Sequence, residues 1–369
     1  MDFIRTEAAQ ELSILVNTIA GSICTPEHQR FLDGLDQRFD ETLWRTLRDA
    51  DILSTAAPES VGGGGFGVIE QAAILTALGR HLAAVPYLES VMLAAGALTR
   101  SDSDVLRRTW ARPAVSGERI LTIALDGEVG QPPVTATSIP GGYRLTGSRT
   151  QVPFGPVADA FLVPALVPAE TDTGTRMVLV SAADSCVSVT PLHTTGRTSS
   201  GHLELAGAEV SADRVLGGGG LVSWLTDRRA LGLAAYQLGV LERALELTAE
   251  YARVRQQFDR PIGSFQAVAQ RLADGYIDVK GVRLTLDQAA WRLSEDLPAT
   301  SEVATAAFWA ADAGHRVAHT AVHVHGGVGI DMDHPVHRYF ITAKQTEFAL
   351  GGATAQLRLI GRDLAEIPA

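Results

Sequence analysis

The spacing of apolar residues changes twice along the chain, and this limits the folds that the chain can adopt. From residue 1 to 114, segments such as QAAILTALGRHLAA repeat apolar residues at helical spacing. From 115 to 220, short β-forming runs such as RILTIAL and HLELAGAEV lie between Gly, Pro and Asp residues. Helical patterns return from 221 to 369. The sequence therefore predicts an α+β chain with a helical, a β and a second helical domain.

Composition excludes several classes of function. The 369 residues carry a net charge of −11, which disfavours nucleic acid and anionic membrane surfaces as partners. No apolar run approaches the roughly 20 residues that a membrane span needs. The N-terminal stretch MDFIRTEAAQELSILV has acidic residues where a signal peptide has basic ones. We therefore expect a cytoplasmic protein without membrane segments.

The C-terminal zone contains readable helix boundaries. A helix is predicted from Leu225 to Gln257, because Pro261 follows and cannot continue a helix. Ser264 is the predicted N-cap of the next helix and Ser301 that of a third. A fourth helix is predicted over 336–350.

Three histidines in this zone raise the question of a metal. His315, His319 and His323 recur at i, i+4 spacing and share one helix face. No Cys or carboxylate lies at the usual zinc-ligand positions. We therefore predict no metal site and interpret these residues as a polar face that leads to a ligand-binding glycine turn.

Several segments resemble the acyl-CoA dehydrogenase family. YARVRQQFDRPIGSFQAVAQRLAD is similar to the family's signature segment, with Asp259 where a glycine is usual, and HVHGGVGIDMDHPVHRYF is similar to its glycine-pair turn. APESVGGGGFGVIEQAAILTALGRHLAAVPY resembles the N-terminal domain, and GGYRLTGSRTQVPFGPVADAFLVPA the central one. The resemblance implies an N-terminal helical domain, a central β-barrel or sandwich, and a C-terminal four-helix bundle.

The same resemblance implies a chemistry and a cofactor. The family oxidises acyl-CoA thioesters to enoyl-CoA: a glutamate removes the α-proton and FAD accepts the β-hydride. The ADP end of each FAD reaches the arginine segment and the glycine turn of a neighbouring subunit. The residues that match these cofactor-binding positions are Arg255, Phe258, Gln266, His323, Gly326 and Gly327.

The catalytic base of the family has no counterpart at either of its usual positions. One position falls on Leu350, or with a small shift on Gly351, and the other falls on Arg229. None of these side chains accepts a proton at pH 7. Glu347, one turn from Leu350, is the alternative base, although an acid on a helix surface is the simpler interpretation.

The part of the family's β-domain that cradles the flavin ring also differs here. ALDGEVGQPP lacks the family's hydroxyl pattern, and TQVPFG replaces its Trp-Ile-Thr. Pro153 has no N–H at a position where the ring normally receives one. His323 replaces the glutamine of the glycine-pair motif.

In this combination of lost and retained residues, the chain resembles the non-catalytic subunit of certain heterotetrameric acyl-CoA dehydrogenases. These are the actinobacterial enzymes of steroid side-chain degradation. The resemblance implies an α2β2 assembly with a homologous catalytic subunit, shared FAD, a bulky acyl-CoA substrate such as a steroid-derived one, and an electron-transfer flavoprotein as acceptor. Two alternatives stay open: a homotetrameric enzyme that uses Glu347, and a flavin-free scaffold.

Overall fold

The structure is a computed structural model that describes residues 6–127, 130–168 and 173–366. The chain forms two compact units, each built from separated stretches. The first contains the described residues of Met1–His28, Val68–Ala83 and Ala230–Ala369, and the second contains Gln29–Gly67 and Ala84–Arg229. This division follows packing rather than chain order, so the domain boundaries at 114 and 220 stay a prediction.

Helices make up most of the described chain. They are α1 (Glu7–Ile23), α2 (Pro26–Asp33), α3 (Glu41–Asp49), α4 (Ile52–Thr55), α5 (Val68–Arg80), α6 (Gly96–Thr99), α7 (Asp104–Leu106), α8 (Arg112–Val115), α9 (Gly219–Val254), α10 (Gln266–Ser294), α11 (Thr300–His325), α12 (Val336–Ala349) and α13 (Gly352–Glu366). Tyr87–Ala95 and Arg107–Ala111 are π-helical. Among the described residues, no helix is both long enough and apolar enough to cross a membrane.

Seven of the described strands lie between the two helical zones, and two short ones lie between α9 and α10. They are β1 (Leu121–Ile123), β2 (Val134–Ile139), β3 (Gly142–Pro153), β4 (Ala160–Pro168), β5 (Thr173–Ser181), β6 (Val187–Pro191), β7 (Ser200–Ser211), β8 (Gln256–Gln257) and β9 (Arg260–Pro261). Seven of these described strands form one sheet in the order β1-β4-β2-β3-β7-β6, and β5 pairs with β4.

The sheet folds around one apolar face. β1 and β2 pair in parallel with β4, Leu121 opposite Ala160 and Val134 opposite Ala165. Burial alternates along β7, as expected for a strand with one face on the core. That core includes Leu145, Phe161, Val163, Val178 and Leu203. The predicted α+β fold with a central β-domain is confirmed, and the β-domain is a single curled sheet.

In the first unit, α5 and α9 pack backbone against backbone. A Cβ atom added to Gly79 would lie 2.0 Å from the carbonyl oxygen of Tyr236, and one added to Gly239 would lie 1.9 Å from that of Thr76. Gln237, fully buried on α9, donates its amide to the carbonyl of Ala343 on α12 at 3.0 Å. These contacts fix α9, from which the candidate site extends.

Several predicted helix boundaries were wrong. α9 ends at Val254 rather than Gln257, because the next residues pair in a short hairpin. Ser264 is not an N-cap: its hydroxyl donates to the carbonyl of Pro261, and Phe265 precedes α10. Ser301 lies inside α11, whose N-cap is Ala299. The sequence analysis also missed α13, which packs on α11.

The close approach of α5 and α9 makes a stability prediction. Gly239→Ala should lower the free energy of unfolding by about 1–3 kcal/mol, because the new methyl group meets backbone atoms that cannot move aside. The matched control is Gly361→Ala on α13, where an added Cβ atom meets nothing within 4 Å. Urea unfolding should show that control to be neutral or slightly stabilising, and equal stabilities of the two variants would contradict the packing.

Candidate functional site

A two-residue β-turn joins β8 to β9 at the end of α9. Gln257 pairs with Arg260, and the residues between them, Phe258 and Asp259, have φ angles of 54° and 62°. Two consecutive left-handed residues define the type I′ turn that suits a tight hairpin. Asp tolerates this conformation, whereas an aromatic residue adopts it at a cost of roughly 1–3 kcal/mol. The side chain of Phe258 is 86% exposed.

Backbone and ring contacts hold this hairpin in place. The N–H of Arg255 donates to the carbonyl of Tyr251 at 2.9 Å, and the N–H of Ile262 donates to the carbonyl of Arg255 at 2.8 Å. The rings of Phe258 and Phe265 meet edge to face at 6.1 Å, and the guanidinium of Arg260 lies 4.2 Å from the Phe265 ring centroid. The backbone of Arg255 is therefore fixed while its side chain is exposed to solvent.

The glycine turn follows α11 directly. The N–H of Gly326 donates to the carbonyls of Val322 and His323, and its φ of 62° and ψ of −136° suit only glycine. Gly329 is required for packing, because an added Cβ atom would lie 2.7 Å from the carbonyl oxygen of Val322. The sequence analysis missed this role of Gly329, although the HGGVG spacing carries the signal.

Gly327 differs from both of these glycines. It is exposed, its φ is not positive, and an added Cβ atom meets nothing within 4 Å among the described residues. His323, on the last turn of α11, and Gln266, the first residue of α10, are also exposed. Nothing in the described chain therefore requires glycine at position 327. The close approach of another molecule to the backbone would require it.

The predicted base positions hold no proton acceptor. Leu350 is buried at the end of α12, and its backbone N–H donates to the carbonyl of Thr346 at 3.0 Å. Gly351 follows with a φ of 78°. The alternative base, Glu347, is engaged: Lys344 donates to its Oε2 at 2.5 Å. Lys344 also lies 2.9 Å from Nδ1 of His315, so these three side chains form one polar cluster.

The three histidines of α11 follow the predicted helix face without gathering around a common point. The rings of His315 and His319 are 4.5 Å apart, and His319 packs edge to face on Phe340 at 5.2 Å. Across residues 6–127, 130–168 and 173–366, no group of three or more His, Cys, Asp and Glu side chains is arranged to hold a metal ion. These rings therefore belong to the polar and aromatic surface between α11 and α12.

Arg229, at the second base position, is neutralised within its own unit. Its guanidinium lies 2.5 Å from Oδ2 of Asp126, and the Arg229 side chain is only 20% exposed. Burial raises the pKa of Glu89 to about 7, although the positive charge of Arg229 acts in the opposite direction. A cation paired in this way is a structural group rather than a proton acceptor.

Two polar side chains near the segment predicted to cradle the flavin ring have hydrogen-bond partners within the chain. The amide of Gln131 donates to Oγ of Ser148 at 2.8 Å, and the hydroxyl of Thr122 donates to the carbonyl of Pro153 at 2.5 Å. Phe154 is buried in a left-handed conformation with a φ of 52°. Two residues of ALDGEVGQPP, at positions 128 and 129, lie outside the described residues.

The fold, the hairpin at Arg255 and the glycine turn at Gly326 together define a flavoprotein of the acyl-CoA dehydrogenase type. The family model described as "Acyl-CoA dehydrogenase, N-terminal domain" matches residues 6–118, and the model for the C-terminal domain matches residues 217–365. The chain therefore belongs to the acyl-CoA dehydrogenase family, whose members are FAD-dependent oxidoreductases acting on CH–CH groups.

Known relatives match over the full length of the chain. Acyl-CoA dehydrogenase FadE27 of Mycobacterium tuberculosis is 67% identical over 377 residues, covering 100% of both chains. A chain of the ChsE4-ChsE5 complex from the same species is 67% identical, with a TM-score of 0.97 and 100% coverage of both chains. A variant of the Tcur3481-Tcur3483 steroid ACAD is 37% identical, with a TM-score of 0.90 and 98% coverage of both.

FAD fits one part of the described chain and not another. Arg255 exposes a guanidinium fork of the kind that binds phosphate oxygens, Phe258 in the same hairpin exposes its ring, and a Cβ atom added to Gly327 would meet nothing within 4 Å among the described residues. Among the described residues of the segment predicted to cradle the ring, Pro153 has no N–H to donate, and the carboxylate of Asp126, which only accepts, is bound to Arg229. The residues therefore suit the ADP end of a flavin rather than its ring.

The burial of Glu89 makes a pH prediction. A carboxyl whose pKa rises from 4.5 to about 7 on folding binds a proton that the unfolded chain has released. Unfolding free energy should therefore fall as pH rises through that interval, by about 3 kcal/mol in total, and then level off. Glu89→Gln should be more stable than wild type at pH 8 and similar to it at pH 4.5 in urea unfolding.

Glu118→Gln is the control for this experiment, because Glu118 is an exposed acid of the same unit. It should change stability equally little at both pH values. A Glu89→Gln effect that is the same at pH 4.5 and pH 8 would contradict the assignment.

Proposed function

We propose that this chain is the subunit of a heteromeric acyl-CoA dehydrogenase that lacks the general base and supports the FAD of a homologous catalytic subunit. The observation that carries the proposal is the contrast between two regions. Both base positions are occupied by groups that cannot accept a proton, Leu350 and the Asp126-paired Arg229. The hairpin at Arg255 and Phe258, in contrast, is fully formed and exposed.

The relatives support a partner and a substrate class. The solved structures at 67% and 37% identity are described as a ChsE4-ChsE5 complex and as a Tcur3481-Tcur3483 steroid ACAD. We infer an α2β2 assembly that desaturates the acyl group of a bulky CoA thioester such as a steroid-derived one. An electron-transfer flavoprotein as acceptor and a cytoplasmic location are part of the same proposal.

In this mechanism the chain contributes binding and orientation. When bound, FAD supplies the hydride acceptor of the reaction, and the catalytic subunit supplies the base. Arg255 would pair with pyrophosphate oxygens, and Phe258 would cover the adenine side. Gly327 would let the backbone approach closely, and Gln266 and His323 would add polar contacts at the edges of the same surface.

The proposal predicts how flavin content depends on the partner. Purified alone, the chain should show no flavin absorbance and no acyl-CoA dehydrogenase activity; co-expressed with its catalytic partner, the complex should be yellow and active. A missing general base typically costs about 10²–10⁴-fold in rate. The measurements are the visible spectrum and turnover with an artificial electron acceptor.

Each alternative predicts a different result in that experiment. A homotetrameric enzyme would be yellow and active alone, and Glu347→Gln would abolish the activity. A flavin-free scaffold would leave the flavin content of the partner unchanged. Either result would overturn the proposal.

A second prediction concerns Arg255 in the assembled complex. Arg255→Ala should weaken FAD binding by about tenfold to a hundredfold, since charge-assisted hydrogen bonds contribute about 1.5–3 kcal/mol each. Excess FAD should restore much of the rate, because the partner's base is unchanged. Flavin fluorescence on dilution gives the dissociation constant directly.

Arg253→Ala is the matched control, because Arg253 is an exposed arginine on the last turn of the same helix. It should leave FAD affinity within about twofold of wild type. If Arg255→Ala behaves in the same way as Arg253→Ala, the chain does not reach the cofactor of its partner.

A further inference from the structure

We propose that His325 is a positioning residue whose ring locks the glycine turn onto the Arg255 hairpin through a stack on Tyr251. The inference rests on the function proposed above, because it assigns the element that holds the two cofactor-facing segments in register. His325 itself is not part of the exposed surface proposed for the cofactor, since its side chain is buried.

The geometry of the ring stack carries the proposal. His325 is the last residue of α11, directly before Gly326, and is only 3% exposed. Its ring stacks on that of Tyr251 with centroids 4.4 Å apart and an interplanar angle of 23°. Tyr251 lies on α9, and its carbonyl accepts the N–H of Arg255 at 2.9 Å. One ring contact therefore joins the segment that carries Arg255 to the segment that carries Gly327.

The hydrogen bonds of the imidazole specify its tautomer. Nδ1 of His325 lies 2.8 Å from the carbonyl oxygen of Ala321, and a carbonyl oxygen only accepts. Nδ1 therefore carries the proton, and in the neutral ring Nε2 keeps its lone pair. Nε2 is buried without a hydrogen-bond partner among the described residues. Protonation would place a buried N–H⁺ where no acceptor is available, which is costly.

The groups that face the ring do not relieve that cost. Tyr251 faces it from α9, and the ring of His334 lies 5.0 Å away, in the segment before α12. His334 is in turn influenced by Asp331 and His337. Burial lowers the pKa of His325, the Ala321 hydrogen bond opposes that effect, and His334 lowers it further. The stack is therefore formed by a neutral ring at pH 7 and is weakened as pH falls well below 6.5.

Two substitutions separate the ring from its hydrogen bond. His325→Phe keeps an aromatic ring for Tyr251 and removes both nitrogens, so it also removes the titration. His325→Asn keeps a donor near the position of Nδ1 and removes the ring. If the stack positions the hairpin, His325→Asn should weaken FAD binding by the intact heteromeric complex by about tenfold at pH 7.5, and His325→Phe should stay within about threefold of wild type.

Two further readouts distinguish positioning from general stability. A titration from pH 7.5 downward should weaken FAD binding more in wild type than in His325→Phe. In the FAD-free complex, hydrogen exchange of the amides at 255–265 should be faster in His325→Asn than in wild type, and unchanged in His325→Phe. If His325→Phe is impaired and His325→Asn is not, the Ala321 hydrogen bond rather than the stack is responsible; that result, or equal behaviour of the two variants, would overturn the proposal.

Tyr251→Leu provides an independent route if His325→Asn does not assemble. It should reproduce the faster exchange and the weaker FAD binding, and combining it with His325→Asn should add little, because both changes remove one contact. Wild-type exchange and affinity in Tyr251→Leu would overturn the proposal. If Arg255→Ala leaves FAD affinity unchanged while Tyr251→Leu accelerates exchange, the ring stack stands and the proposed cofactor role fails.

Discussion

The left-handed turn at Phe258 and Asp259 lies between α9 and α10, the two longest helices of the described chain. α9 and α10 contain 36 and 29 residues, and the connection between them reverses direction through this one tight hairpin. Both turn residues have positive φ, a conformation that an aromatic residue does not favour. Within the described chain the exposed ring gains only an edge contact with Phe265. The conformational cost and the exposure together favour a contact outside the chain as the reason for an aromatic residue here.

The pairing of Arg229 with Asp126 shows how the fold accommodates a cation at a predicted base position. A partly buried cation is less costly when it is paired with an acid, and here Arg229 is 20% exposed and Asp126 46% exposed. Near Pro153, the hydroxyl of Thr122 also has an internal partner, because it donates to the Pro153 carbonyl. In our proposal, the polar groups that a catalytic subunit would direct at substrate and flavin ring serve internal packing here.

The sequence predicted features that depend on pattern and missed those that depend on tertiary context. Apolar spacing located the helical and β zones, and the motifs around Arg255 and Gly326 identified the family. The N-cap assignments at Ser264 and Ser301 were wrong, because serine also occurs in turns and inside helices, where its hydroxyl finds other acceptors. The stack of His325 on Tyr251 joins residues that are distant in sequence, so no local pattern indicated it.

The three glycines of the turn show which parts of the candidate site the chain explains by itself. Gly326 is required by its backbone angles and Gly329 by the carbonyl of Val322, so both would be needed in an isolated subunit. Gly327 has neither constraint, yet it is exposed beside them. A glycine without an internal reason costs conformational entropy on folding and provides no packing in return. Together with the exposed Phe258, it supports a surface completed by a ligand and a second subunit.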